Sequence, residues 1–262
     1  MTEERPFSVR SGINPEPHPT PEAAPEELRY FLLKHLKEEY RDSPFGAAEI
    51  IAEFLRSPGL SRPFRNPYDP STWERLYKII LEFEWWKVYD FIEFIYNTSA
   101  VPGKHEFILR LNNLFSEQNI CYRINREGKI IYSGSETFTT TVERAESALE
   151  ATGRLTAKNE IHKALEDLSK RPTPDLTGAV QHAMAALECV ARDVCGESSE
   201  TLGAIIKKHP DKFPPPLGEA VSKLYGFASV RGRHLLEGGE PQYREVELIV
   251  GIAATAATYL CR

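Results

Sequence analysis

The sequence predicts a mainly α fold, with an N-terminal helical domain that carries one small β-hairpin and a C-terminal helical bundle. Three observations lead there. Apolar residues recur three and four apart through most of the 262 residues. A strand-like pair of runs around a glycine turn occurs once, at residues 121–132. Breakers such as Ser57-Pro58-Gly59, Thr152-Gly153 and Pro214-Pro215-Pro216 punctuate the helical stretches.

Residues 1–25 hold Pro6, Pro15, Pro17, Pro19, Pro21 and Pro25, a density that breaks helix and sheet and predicts an extended arm, either loose or packed on the body. Glu26 opens a helix through Leu28, Phe31, Leu32 and Leu36, with Pro25 suited to its first turn. A second helix runs from about Ala47 to Leu55. Ser71 to Tyr96 reads as one long helix with Leu76, Ile80, Phe83, Phe91 and Ile95 on its core face, and Trp73, Trp85, Trp86 and Tyr89 adding bulk. His105 to Ser116 is a further helix. Cys121-Tyr122-Arg123-Ile124 and Ile130-Ile131-Tyr132 then flank Asn125-Arg126-Glu127-Gly128, a hairpin whose Gly supplies a positive φ.

Thr141 to Leu149 and Lys158 to Leu168 read as helices on either side of Thr152-Gly153, where the domain boundary is expected: an arm 1–25, a first domain 26–153 and a bundle 154–262. In the bundle, Ala179 to Cys195 places Val180, Met184, Leu187, Ala191 and Val194 at 4-3-4-3 spacing, and Gly196 ends it. Leu217 to Phe227 follows the proline run. Tyr243 to Leu260 puts Val246, Ile249, Val250, Ala253, Ala257 and Leu260 on one face, with Gly251, Ala254 and Ala256 leaving room for another helix.

An apolar fraction of 41% and a charged fraction of 27% describe an ordinary folded protein. No apolar run approaches the roughly 20 residues of a membrane span. Met1-Thr2-Glu3-Glu4-Arg5 is acidic where a secretion signal is basic, so the chain is expected in the cytoplasm, away from membranes. Cys121, Cys189, Cys195 and Cys261 lack metal-ligand spacing and are expected reduced and buried, with no metal and no cofactor. Residues 154–262 carry 14 basic and 14 acidic side chains, which leaves 18 against 24 upstream and argues against a long duplex-binding groove while allowing brief contact with one RNA strand.

The most chemically loaded segment is Tyr225-Gly226-Phe227-Ala228-Ser229-Val230-Arg231-Gly232-Arg233-His234. Arg231 or Arg233 can stabilise charge on a phosphoryl oxygen, and His234 can move a proton near neutrality, which together suffice for metal-free RNA cleavage. The same residues could instead cap helix carbonyls or pair with a carboxylate. Glu188 falls in line with Met184, Ala191 and Cys195, so its carboxylate needs a partner, and Arg231, Arg233 or His234 is the expected one. His162 and His182 receive no role. Phosphate-loop, Rossmann and nucleophile-elbow motifs do not occur in the sequence.

Arg5-Pro6-Phe7-Ser8-Val9-Arg10-Ser11-Gly12 and Leu28-Arg29-Tyr30-Phe31-Leu32 resemble the opening of AbiJ-type abortive-infection proteins with the fourth class of AbiJ N-terminal domain. Asn112-Asn113 with the hairpin, Ile161-His162-Lys163-Ala164-Leu165, Ala186-Leu187-Glu188, Thr201-Leu202-Gly203 and Lys223-Leu224-Tyr225-Gly226-Phe227 follow in the order of that family. The resemblance implies a C-terminal HEPN-like bundle, commonly dimeric, of a class that includes metal-independent RNases and non-catalytic members. Arg233-His234 resembles the Gly-x-Arg-His segment of the family. Active members place four to six residues between Arg and His, whereas Phe227, Ala228 and Ser229 occupy the corresponding positions ahead of His234. Arg29 and His35 have that spacing, but on one helix they point to different faces. The resemblance therefore implies three readings: an antiphage RNase-like effector using Arg231, Arg233, His234 and Glu188; a non-catalytic module binding RNA or a defence-system protein; or a structural adaptor. A homodimer through the bundle is expected.

Overall fold

A computed structural model describes residues 21–40, 43–57, 60, 71–98, 103–232 and 239–262, with backbone alone at 231 and 232. The Arg5–Gly12 motif, most of the proline arm, Arg233 and His234 lie outside these residues. The chain divides into two compact units, Met1–Ile130 and Ile131–Arg262, and the described structure is helical apart from one two-stranded hairpin.

The first unit contains α1 (Glu26–Glu39), α2 (Pro44–Phe54), α3 (Thr72–Leu81), α4 (Trp85–Thr98) and α5 (Lys104–Glu117), then β1 (Tyr122–Ile124) and the start of β2 (Ile130–Tyr132). Helix α1 buries Leu28, Leu32, Leu33 and Leu36 and packs on α2 and α3. Phe54 of α2 stands 4.9–5.7 Å from the rings of Phe83, Phe91 and Phe94, which makes an aromatic centre for the unit.

The single helix expected over 71–96 is two. Helix α3 stops at Leu81 and α4 starts at Trp85, with Phe83 turned into the core between them. The cause is Arg29 on α1, whose Nη1 donates to the carbonyls of Ile80 (2.7 Å), Leu81 (3.2 Å) and Phe83 (2.8 Å). Carbonyls at a helix C-terminus lack intrahelical donors, and a guanidinium there satisfies them and complements the helix dipole. His35, two turns on, packs its ring against Phe107 at 4.6 Å, so Arg29 and His35 have separate partners on different sides of α1.

The hairpin turn is built by Asn125, whose Oδ1 accepts from the backbone N–H of Glu127 and Lys129. Gly128 has φ 77°, and a Cβ there would lie 1.9 Å from the Tyr96 ring, so both conformation and space require glycine. The strand edges are met by side chains: the Asn112 amide bonds both the N–H and the C=O of Ile124, Glu93 accepts from the Ile130 N–H at 2.7 Å, and Ser169 accepts from the Tyr132 N–H at 2.7 Å.

The second unit contains α6 (Glu136–Ala151), α7 (Leu155–Ser169), α8 (Leu176–Cys195), α9 (Leu202–Lys208), α10 (Leu217–Gly232) and α11 (Tyr243–Leu260). Gly153, at φ 73°, turns the chain between α6 and α7 inside this unit. Helix α8 is central and packs on α7, α9, α10 and α11. Ala179, Ala183, Ala186 and Ala191 let those neighbours approach, and Val180, Leu187 and Val190 fill the space between them. The short α9 was not expected; Thr201 caps it by accepting from the Ala204 N–H. Ala254 of α11 is fully buried, so it serves packing within the unit rather than a free surface. Of the four free cysteines only Cys121 is buried; Cys189, Cys195 and Cys261 are half-buried, on the flanks of α8 and α11. Among the described residues no helix is long and apolar enough to cross a membrane.

His35 is 7% exposed, and no hydrogen bond reaches its buried Nε2. Burial first, and then the Arg110 charge, lowers its pKa to about 4, with Glu38 acting weakly in the other direction. A base whose folded pKa lies below its unfolded value of about 6.5 favours the unfolded chain once protons bind. The His35 contribution is therefore absent above pH 6.5, costs up to about 3 kcal/mol as pH drops to about 4, and is constant below. Urea unfolding of wild type and His35→Leu at pH 7, 5 and 4 should show the mutant losing less stability on acidification. Equal losses in the two proteins would refute this account.

Candidate functional site

Glu188 sits on α8, two turns before Cys195, with its carboxylate 15% exposed. Its Oε1 lies 2.7 Å from Nη2 of Arg192, one turn on along the same helix, and its Oε2 accepts from the backbone N–H of Leu202 at 3.0 Å. That N–H opens α9. Arg192 also donates through Nε to the carbonyl of Glu200. Glu188 and Arg192 together thus fasten α9 to α8, and each carboxylate oxygen already holds a strong hydrogen bond. This arrangement is suited to positioning more than to proton transfer.

The end of α9 is held in the same way. Lys208 pairs with Glu200 and Glu197, and His209 Nε2 lies 3.2 Å from Glu197. The His209 hydrogen bond, aided by the Lys208 charge, holds the Glu197 carboxyl below its ordinary pKa.

Arg231 is the penultimate residue of α10, and the expected pairing of Glu188 with Arg231, Arg233 or His234 lies outside the described side chains. Helix α10 itself is thinly packed. Gly218, Val221 and Ala228 are buried, but Leu217, Ala220, Phe227 (38% exposed) and Val230 (54%) are open, on the helix that leads into the Arg231–His234 segment. Leu248, Ile252 and Tyr259 form an exposed apolar stripe on α11.

A second polar cluster joins α7 to α8, at His182 and carboxylates that sequence reasoning left without a role. His182 Nδ1 lies 2.6 Å from Glu160 Oε2, and its Nε2 lies 3.7 Å from Asp167 Oδ2. Burial acts to raise the Glu160 pKa, but hydrogen bonds from Lys163 and His182 prevail and lower it. Lys170 bridges Asp167 at 2.7 Å and Asp175 at 3.1 Å, and Asp175 caps α8 by accepting from the Gly178 N–H. Gly178 leaves the room these carboxylates use, since a Cβ there would crowd the side chains of Asp167 and Asp175. Both ring nitrogens of His182 face carboxylates, so the cluster is a clasp between the two helices. Its signal in the sequence was Glu160, Lys163, Asp167 and Lys170 on one face of α7. Among the described residues no three His, Cys, Asp or Glu side chains converge as a metal would need.

The family described as AbiJ N-terminal domain 4 matches residues 5–148 of the chain. No curated protein and no solved structure matches it.

The Glu188–Arg192 pair is half open to solvent at the arginine, which is 36% exposed, so its loss should be milder than the on-the-order-of 3–5 kcal/mol of a fully buried pair. Glu188→Ala should cost about 1–3 kcal/mol, mostly through the Leu202 N–H. A double-mutant cycle with Arg192→Ala should give a coupling of about 0.5–1 kcal/mol. A coupling near zero in chemical unfolding would remove Arg192 as its partner.

Proposed function

The chain belongs to the AbiJ N-terminal domain 4 family, and from that membership we propose that it acts in abortive infection, an antiphage response, with a HEPN-like effector bundle at residues 154–262 behind the AbiJ-like part. The observation that carries the effector half is the end of α10, a helix with exposed Leu217, Phe227 and Val230 whose last turn carries Arg231, with Arg233 and His234 next in the sequence. A guanidinium and an imidazole in one segment supply phosphoryl-charge stabilisation and proton transfer without a metal, the chemistry of an endoribonuclease acting on RNA. Glu188 enters this reading as a positioning residue, since Arg192 and the Leu202 N–H occupy its oxygens.

In the same reading the protein works in the cytoplasm as a homodimer, and the open apolar residues of α10 and α11 support the dimer, because exposed apolar stripes mark association surfaces. A non-catalytic module that binds RNA or a defence-system protein is the second reading. It is favoured by the absence of Arg at 227, 228 and 229, the positions with four to six residues between them and His234.

Induced expression under phage challenge separates the two. Wild type should arrest growth and fragment cellular RNA, and Arg231→Ala/Arg233→Ala/His234→Ala should lower the cleavage rate by about a hundredfold or more while leaving the fold intact by circular dichroism. Intact RNA with both proteins would overturn the nuclease reading. Light scattering should give the mass of two chains, reduced to one by Phe227→Glu/Val230→Glu.

A further inference from the structure

The first turns of α11 rest on the short connection that leads from β2 into α6. Tyr132, the last residue of β2, stacks its ring on that of Tyr243 with centroids 5.5 Å apart, and its hydroxyl donates to the carboxylate of Glu247, one turn further along α11. The backbone N–H of Ser135, the N-cap residue of α6, donates to the same carboxylate. Gly134, at φ 56°, passes so close that a Cβ there would collide with Glu247 Oε1 and crowd the Phe138 ring. Ser169 of α7 accepts from the Tyr132 N–H, which fixes the strand end that carries the hydroxyl.

Glu247 is half-buried in this cradle, and both of its donors are neutral. Among the described residues no charged group of α6, α7, α8 or α10 acts on it; β2 presents the Tyr132 hydroxyl and α6 the Phe138 ring. On α11 itself, Arg244 is exposed and Glu245 is bound into the helix cap. A carboxylate enclosed without a counter-charge is costly, and taking up a proton removes that cost while leaving an oxygen lone pair for each donor. Burial accordingly raises the pKa of Glu247 above its ordinary value of 4.5, against the hydrogen bonds from Tyr132 and the Ser135 N–H. As pH falls, the folded chain therefore takes up this proton before the unfolded one. The stability gained grows as pH drops through the raised pKa and stops growing below the ordinary value, where both states are protonated.

We propose that Glu247 is a proton-operated latch: uncharged, it clamps the first turns of α11 onto the connection between β2 and α6, and charged, it loosens them. Because α11 packs on α6 and α8, the latch sets how firmly the apolar face of α8 is covered. It is separate from the Arg231–His234 segment and does not depend on the nuclease reading.

Hydrogen exchange on the full native chain, with rates corrected for the intrinsic effect of pH, tests this at the amides of Glu247, Leu248, Ile249 and Val250. Between pH 7.5 and pH 5, protection there should rise about three- to tenfold more in wild type than in Glu247→Gln, whose neutral side chain has no proton to gain. His35 is common to both proteins, so its opposite response to acid cancels. Equal responses in the two proteins overturn the latch. Should the variant fail to fold, carbon-13 NMR of the Glu247 carboxyl in wild type decides instead. A titration midpoint above the ordinary value sustains the proposal, and one at or below it overturns it.

Discussion

Arg29 reaches from α1 to the open end of α3, and much of the first unit follows from that reach. Its Nη1 meets the carbonyls of Ile80, Leu81 and Phe83 while its Nε meets Ala24 O, so one planar cation fixes where α3 ends and holds the chain just ahead of α1. With those carbonyls engaged, the chain turns at Glu82–Glu84, and Phe83 enters the ring cluster around Phe54. Hydrogen bonds to a charged donor contribute roughly 1.5–3 kcal/mol, about twice a neutral one, and here several converge on one side chain.

The hairpin shows the same economy. Two three-residue strands are marginal as an isolated ribbon, and their outer edges expose unpaired backbone groups. Asn112, Glu93 and Ser169 take the place of neighbouring strands, with Asn112 matching both the donor and the acceptor of Ile124 as a peptide would. The ribbon thus stays two strands wide without a bare edge at those positions. In the second unit the corresponding solution is alanine. Small residues along α8 bring four other helices close to one axis, which larger side chains would keep apart.

Most helices were legible because their periodicity is local, as were the hairpin, through Asn125 and Gly128, and the end of α8, through Gly196 at φ 69°. The α3–α4 break was not, because its cause sits 51 residues or more upstream at Arg29 and the apolar pattern runs through it unbroken. Helix α9, at seven residues, is too short for a periodic signal. The contacts that Glu188 makes were missed for a related reason: Arg192 stands one turn away on the same helix, and the other donor is the backbone of the unforeseen α9. Of the candidate site, the sequence revealed residue chemistry at Arg231–His234, while distances between side chains from separate helices were beyond any spacing rule.

Because α8 is apolar toward α7 on one side and α11 on another, the order in which the chain is synthesised matters. Helices α7 and α8 are neighbours in sequence and can pair early through a short loop, whereas the cover for the remaining face, α11, begins only at Tyr243. A nascent chain therefore carries Val180, Leu187 and their neighbours partly bare until the last helix described here has emerged. Interrupting translation before Tyr243 would leave an adhesive intermediate, the kind of species that chaperones bind and proteases clear.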